Sequence, residues 1–296
     1  MSTSERNMQD REPLGAAHNP LGMNGIEFIE FSTAKPQALG QVLEQMGFRP
    51  VARHRSREVL LYRQGEMNVI INAHPRGRTA LGERKDVPQI AAIALRVRDA
   101  AEAYQRALDK GAWPIESVVQ PMELHIPAIH GVGHSRIFFV DRHKEFSIYD
   151  VDFVPIPSVE QKPEPLCGFQ FFGIVQYIGA ERLADWTEFY SQLFGFVAVP
   201  DEQRFGIMPK GRVLRSPCGS FFLQLIEPEP DAWDVDNEEC LQRMALSAPD
   251  VMGAVKQLQE RGIGFTETAV VHSEHRGALT NTYLGGVSFE LVHRDA

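Results

Sequence analysis

The chain has 296 residues, enough for one large or two medium domains. Its 43% hydrophobic and 23% charged content is that of a soluble globular protein, and a net charge of -9 argues against nucleic acid or an anionic membrane as partner. No apolar run approaches the roughly 20 residues of a membrane span. Three cysteines with no CxxC pair suit a reducing cytoplasm and give no thiolate metal site.

Residues 1–18 are polar and lack the apolar centre of a signal peptide, so they read as a disordered lead-in. Four times thereafter a strand is followed by an amphipathic helix ending near glycine, and then by further strands. The first unit opens with the strand Gly25 to Phe31, has a helix from about Gln37 to Met46, and continues with strands Glu58 to Tyr62 and Met67 to Asn72. Glu27 and Glu30 have opposite parity in that opening strand, so one should face inward and the other outward. The second unit has a strand Ile90 to Val97, a helix capped by Asp99, and strands Ser135 to Val140 and Phe146 to Phe153.

A proline-rich stretch without periodicity, residues 156–167, reads as a linker between domains 19–155 and 168–296. The third unit has a strand Phe169 to Ile178 and a helix from about Ala180 to Phe194. The stripe Leu183, Trp186, Phe189, Leu193 on that helix reads as core, and a strand Ser220 to Ile226 follows. The fourth has a strand Leu241 to Ser247 and a helix capped by Ser247 or Asp250. It ends in the alternating strand Gly286 to Arg294, where Phe289 and Leu291 face one side and Glu290 the other. Paired βαβββ units predict an α+β fold of two domains, each an open, curved sheet with helices outside and a cup within. A carboxylate in such a cup is a metal ligand, a catalytic group or half of a buried ion pair.

Two histidine clusters bear on that choice. His125, His130 and His134 lie in a Pro/Gly-rich turn at spacings that do not gather three imidazoles on one face, and read as surface residues. His272 and His275 flank Glu274 in a short run that could supply ligands beside Glu290.

The first half resembles the N-terminal domain of 4-hydroxyphenylpyruvate dioxygenases, in the vicinal-oxygen-chelate superfamily. The resemblance rests on Asn19-Pro20-Leu21-Gly22-Met23, Gly25 to Phe31, His54-Arg55-Ser56, Leu61 to Glu66, Pro121-Met122-Glu123-Leu124 and Ser147 to Phe153. It implies the vicinal-oxygen-chelate fold, a homo-oligomer, and chemistry in the second domain's cup, where two His and one Glu hold a ferrous ion. Of those ligands the Glu matches Glu290. Where the second His should follow a Gln, this chain has Gln242-Arg243. The first falls on Phe172-Gly173, and a carbonyl-binding Asn falls on Ile226.

The substitutions imply an Arg243–Glu290 pair in place of iron, with Arg243, Gln242 and Glu290 binding a small aromatic or keto carboxylate and no metal. Two other readings stay open. One is an active Fe(II) dioxygenase of aromatic catabolism, with metal held by Glu290, His272 and His275. The other is a structural or regulatory partner protein.

Overall fold

The computed structural model describes residues 18–74, 87–116, 123–144, 146–200, 211–228, 238–266 and 277–293. The first half runs β1 (Ile26–Ser32), α1 (Pro36–Gln45), β2 (Arg49–His54), β3 (Val59–Gln64), β4 (Met67–Asn72) and β5 (Gln89–Arg96). It continues with α2 (Ala100–Asp109), β6 (Ala128–His130), β7 (Arg136–Val140), α3 (Ile148–Asp152) and β8 (Phe153–Pro155). The second half runs β9 (Gln170–Tyr177), α4 (Leu183–Phe194), β10 (Val197–Ala198), β11 (Arg212–Arg215) and β12 (Phe222–Ile226). It closes with β13 (Cys240–Ala248), α5 (Val251–Glu260), β14 (Ala278–Leu279) and β15 (Phe289–His293).

Local chemistry sets the helix limits. Pro36 opens α1, where a missing N–H costs nothing. Asp99 caps α2 by accepting from the Glu102 N–H at 2.8 Å, and Asp250 caps α5 through Gly253 N–H at 2.8 Å. Gly195 ends α4 in the left-handed conformation, φ +81°, which spares a Cβ clash.

The two halves repeat one wiring. β1 runs parallel to β4 and antiparallel to β5, which runs parallel to β7. β9 runs parallel to β12 and antiparallel to β13, which runs parallel to β15. One sheet results, because β13 pairs with β5 at Leu241 and Ile90. One apolar cluster spans both halves and includes Leu39 and Leu43 of α1, Phe139 of β7, Phe194 of α4 and Phe289 of β15. A smaller cluster, with Phe28, Leu61, Ile70, Tyr149 and Phe153, lies on the other face of the first half. Each such side chain, buried fully, stabilises the fold by roughly 1.5–3 kcal/mol.

Four expectations need correction or refinement. Phe146 to Phe153 is not one strand: residues Ile148–Asp152 form α3, and only Phe153–Pro155 pair as strand. The Asp150 carboxylate accepts from both N–H and Oγ of Ser147, a capping arrangement that nucleates a helical turn in an otherwise strand-like sequence. Glu27 and Glu30 do not divide between the faces; both are buried. The β1–β5 register shifts between Ile26 and Phe28 and again between Glu30 and Phe31, and such bulges break the alternation. In α4 the buried residues are Tyr190, Leu193 and Phe194, with Trp186 and Phe189 packed beside them. The segment 156–167 is fastened to the first half: Gly65 N–H donates to Pro163 O at 2.7 Å, and Leu166 N–H to Gln64 Oε1 at 2.6 Å.

Candidate functional site

In β15, Phe289 and Leu291 are fully buried in the core shared with the helices, and Glu290 takes the opposite face, 2% exposed. The register places Glu290 beside Ala245 of β13, and Ala245 beside Gly173 of β9. Arg243, two residues before Ala245, shares that face and is also 2% exposed.

Its Nε donates to Glu290 Oε2 at 2.8 Å, and its Nη1 donates to Gln242 Oε1 at 2.9 Å. The structure thus brings together the three residues singled out from sequence. The third nitrogen, Nη2, is buried with no hydrogen-bond partner among the described residues. A buried guanidinium without its carboxylate would be an uncompensated charge, so each partner fixes the other's place.

Gly173 occupies the remaining position of the row. A Cβ built there would meet the Phe222 carbonyl oxygen at 2.2 Å, so the backbone packing of β9 on β12 leaves no room for a side chain. The cavity bounded here by Phe172, Gly173, Val213, Gln224, Ala245 and Glu290 holds about 20 Å³, space for an oxygen-sized group.

A much larger cavity, about 380 Å³, opens in the first half, on the face of the smaller cluster. Glu27 on its wall pairs with Arg96, Nε to Oε2 at 2.5 Å. Burial raises the Glu27 carboxyl above its ordinary range, against the opposing pull of Arg96. Tyr149 is likewise raised well above a normal phenol, first by burial and then by the charge of Glu27. The Arg63 guanidinium lies over the Tyr149 ring, 5.4 Å from its centroid.

Sequence reasoning missed this cavity, because its residues come from β3, β5, α3 and the segment after β8. The one available signal was a pair of arginines ending strand-like runs, Arg63 and Arg96.

His125, His130 and His134 are exposed, His130 at the end of β6. His272 and His275 lie outside the described residues.

Residues 17–154 match the family model for the N-terminal region of hydroxyphenylpyruvate dioxygenase. Over 273 residues the chain is 30% identical to the 4-hydroxyphenylpyruvate dioxygenase of Pseudomonas aeruginosa, covering 87% of this chain and 75% of that protein. The chain belongs to the 4-hydroxyphenylpyruvate dioxygenase family. Hemolysin VllY of Vibrio vulnificus is 32% identical over 268 residues, 85% of this chain and 74% of that protein. A solved xylose isomerase-like TIM barrel/4-hydroxyphenylpyruvate dioxygenase fusion protein superposes with a TM-score of 0.73 at 25% identity, over 93% of this chain and 50% of its own.

The resemblance to 4-hydroxyphenylpyruvate dioxygenases implies a ferrous ion at the Glu290 position. The described residues do not fit one. They offer a single carboxylate already bonded by a guanidinium, and a glycine that cannot be exchanged for a ligand without moving β12. Among the described residues no three His, Cys, Asp or Glu side chains are gathered as a cation would need. Nor is any described helix long and apolar enough to cross a membrane.

Proposed function

We propose that this chain is a member of the 4-hydroxyphenylpyruvate dioxygenase family that binds a small aromatic or keto carboxylate in the cytoplasm without oxygenating it. It is built as two vicinal-oxygen-chelate domains, 19–155 and 168–296, and assembles as a homo-oligomer. The supporting observation is the Arg243–Glu290 pair, 2.8 Å apart where the resemblance sets the iron.

A fixed guanidinium opposes a dication at about 4 Å by roughly 8 kcal/mol, twice the value for two unit charges at an effective dielectric near 20. Glu290 balances the guanidinium charge, so an anion is favoured through the hydrogen bond its remaining donor offers rather than through net charge. Gln242 and Glu290 hold the guanidinium, and Nη2 is the donor left for one carboxylate oxygen. The cavity beside Glu290, about 20 Å³, has room for one carboxylate oxygen, so the rest of a keto acid such as pyruvate would lie outside it.

Metal analysis and oxygen uptake test the reading on protein made in iron-replete cells and purified without chelator. We expect well under one iron per chain and no oxygen uptake with 4-hydroxyphenylpyruvate. One iron per chain, lost in Glu290→Ala together with oxygen uptake, would return the protein to the oxygenases, with His272 and His275 as the remaining ligands. Light scattering checks the assembly.

A further inference from the structure

We infer that the first half carries a second, separate ligand site: the cavity of about 380 Å³ walled by Arg63, Arg96 and Tyr149 takes a small ring-bearing carboxylate of the hydroxybenzoate class. Size is the first argument. Pockets that enclose small organic ligands begin near 300 Å³, whereas the roughly 20 Å³ beside Glu290 cannot enclose a ring.

Charge is the second argument. Four described cations border the first-half cavity: Arg63, Arg96, Lys144 and Lys162. Three described carboxylates face them: Glu27 cancels against Arg96, Asp150 keeps its charge while accepting from Ser147, and Glu66 is the third, so the cations exceed the acids by one. The balance is cationic. His143 on the same wall is pushed below the usual imidazole range, by burial first and then by the charges of Arg96 and Lys144.

Preorganisation is the third argument. Arg63 is held by Nε to Asn68 Oδ1 at 2.7 Å and by Nη1 to Gln161 O at 2.9 Å. Its Nη2 has no hydrogen-bond partner among the described residues. A guanidinium fixed on two sides, with a donor left over, presents that donor to a ligand at little entropic cost.

Shape completes the case. Ala52, Leu61 and Phe153 give the cavity an apolar wall for a ring. The ligand's carboxylate meets Arg63, with Lys144 and Lys162, both exposed, drawing it in from the rim.

Isothermal titration with 4-hydroxybenzoate tests this on the full chain, with neutral 4-hydroxybenzamide as the uncharged analogue. We expect 4-hydroxybenzoate to bind at least tenfold more weakly to Arg63→Gln, and severalfold more weakly to the rim double variant Lys144→Glu/Lys162→Glu. The benzamide should bind wild type at least tenfold more weakly. Lys256→Glu, exposed on α5, is the charge control and should match wild type.

If Arg63→Gln loses its circular dichroism, the rim variant alone decides. No binding to wild type, equal affinity for the benzamide, or unchanged affinity in a folded Arg63→Gln and the rim variant would each overturn the inference. Loss of 4-hydroxybenzoate in Arg243→Gln with retention in Arg63→Gln would overturn it too, while favouring the Glu290 site. Pyruvate titrated against wild type and Arg243→Gln reads the second-half site separately.

Discussion

Arg243 and Glu290 are each 2% exposed and 2.8 Å apart, so neither can be altered alone without stranding a buried charge. Arg243→Met should cost about 3–5 kcal/mol of stability, since Glu290 then loses its counter-charge. Adding Glu290→Leu should restore most of that loss, because an apolar pair of similar volume leaves no charge to desolvate. Urea unfolding of the two variants checks both; a double variant as unstable as the single one would refute the pairing argument.

Glu27 gives a pH prediction at the same scale. Its carboxyl is raised in the folded protein by burial, the Arg96 charge notwithstanding. The folded state therefore binds this proton more tightly than the unfolded chain. Its contribution is full below the ordinary glutamate value near pH 4.3 and falls as pH rises through the folded value. Wild type should accordingly gain stability relative to Glu27→Gln as pH is lowered toward about 4, measured by urea midpoints across that range. A difference that does not change with pH would count against it.

Among the elements, β9 decides what the second-half site can be. Its parallel packing on β12 brings the Phe222 carbonyl to where a Cβ at Gly173 would stand. Gly173→Ala should therefore destabilise by about 1–3 kcal/mol through overpacking, seen as a lower Tm, and a histidine there should do worse. An alanine variant as stable as wild type would show that β12 gives way, and would reopen a ligand position.

α3 offers a contrasting case. Strand propensity in Ser147 to Phe153 is overridden by one capping arrangement, in which Asp150 answers Ser147. That signal, Ser followed three residues later by an acid, is written in the chain but competes there with β-branched and aromatic residues on either side. Helices α2 and α5 posed no such conflict, because Asp99 and Asp250 cap runs that are already helix-periodic.

Over the whole molecule, each half carries an acid–base pair across its strands on the face away from its helices, and the first half adds Glu27–Arg96 to it. In the first half the row is Glu30, Ala92, Arg136, with Arg136 Nη2 to Glu30 Oε1 at 2.6 Å. In the second it is Gly173, Ala245, Glu290, with Arg243 as the cation. The same wiring thus carries opposite polarity: the acid sits on the opening strand in one half and on the closing strand in the other.

The halves also share a core, and Arg261 after α5 donates to the backbone oxygens of Gln45 and Glu44 at 2.7 Å each. Unfolding should therefore be one cooperative event, with calorimetric and van't Hoff enthalpies equal. Two resolved transitions would mean that the shared cluster contributes little.

The sequence by itself determined the alternation of β15, the caps of α2 and α5 and the fourfold repeat, because periodicity and capping act over a few residues, and its resemblance to the dioxygenases singled out Arg243 and Glu290 as a pair. Only the tertiary structure decided that Glu27 and Glu30 are both buried, that Gly173 is locked by a neighbouring carbonyl, and that the roomy, cationic cavity lies in the first half. Those facts depend on strand register and on close approach between segments far apart in the chain, and a bulge of one residue, invisible in the alternation of β1, is enough to turn a side chain to the other face.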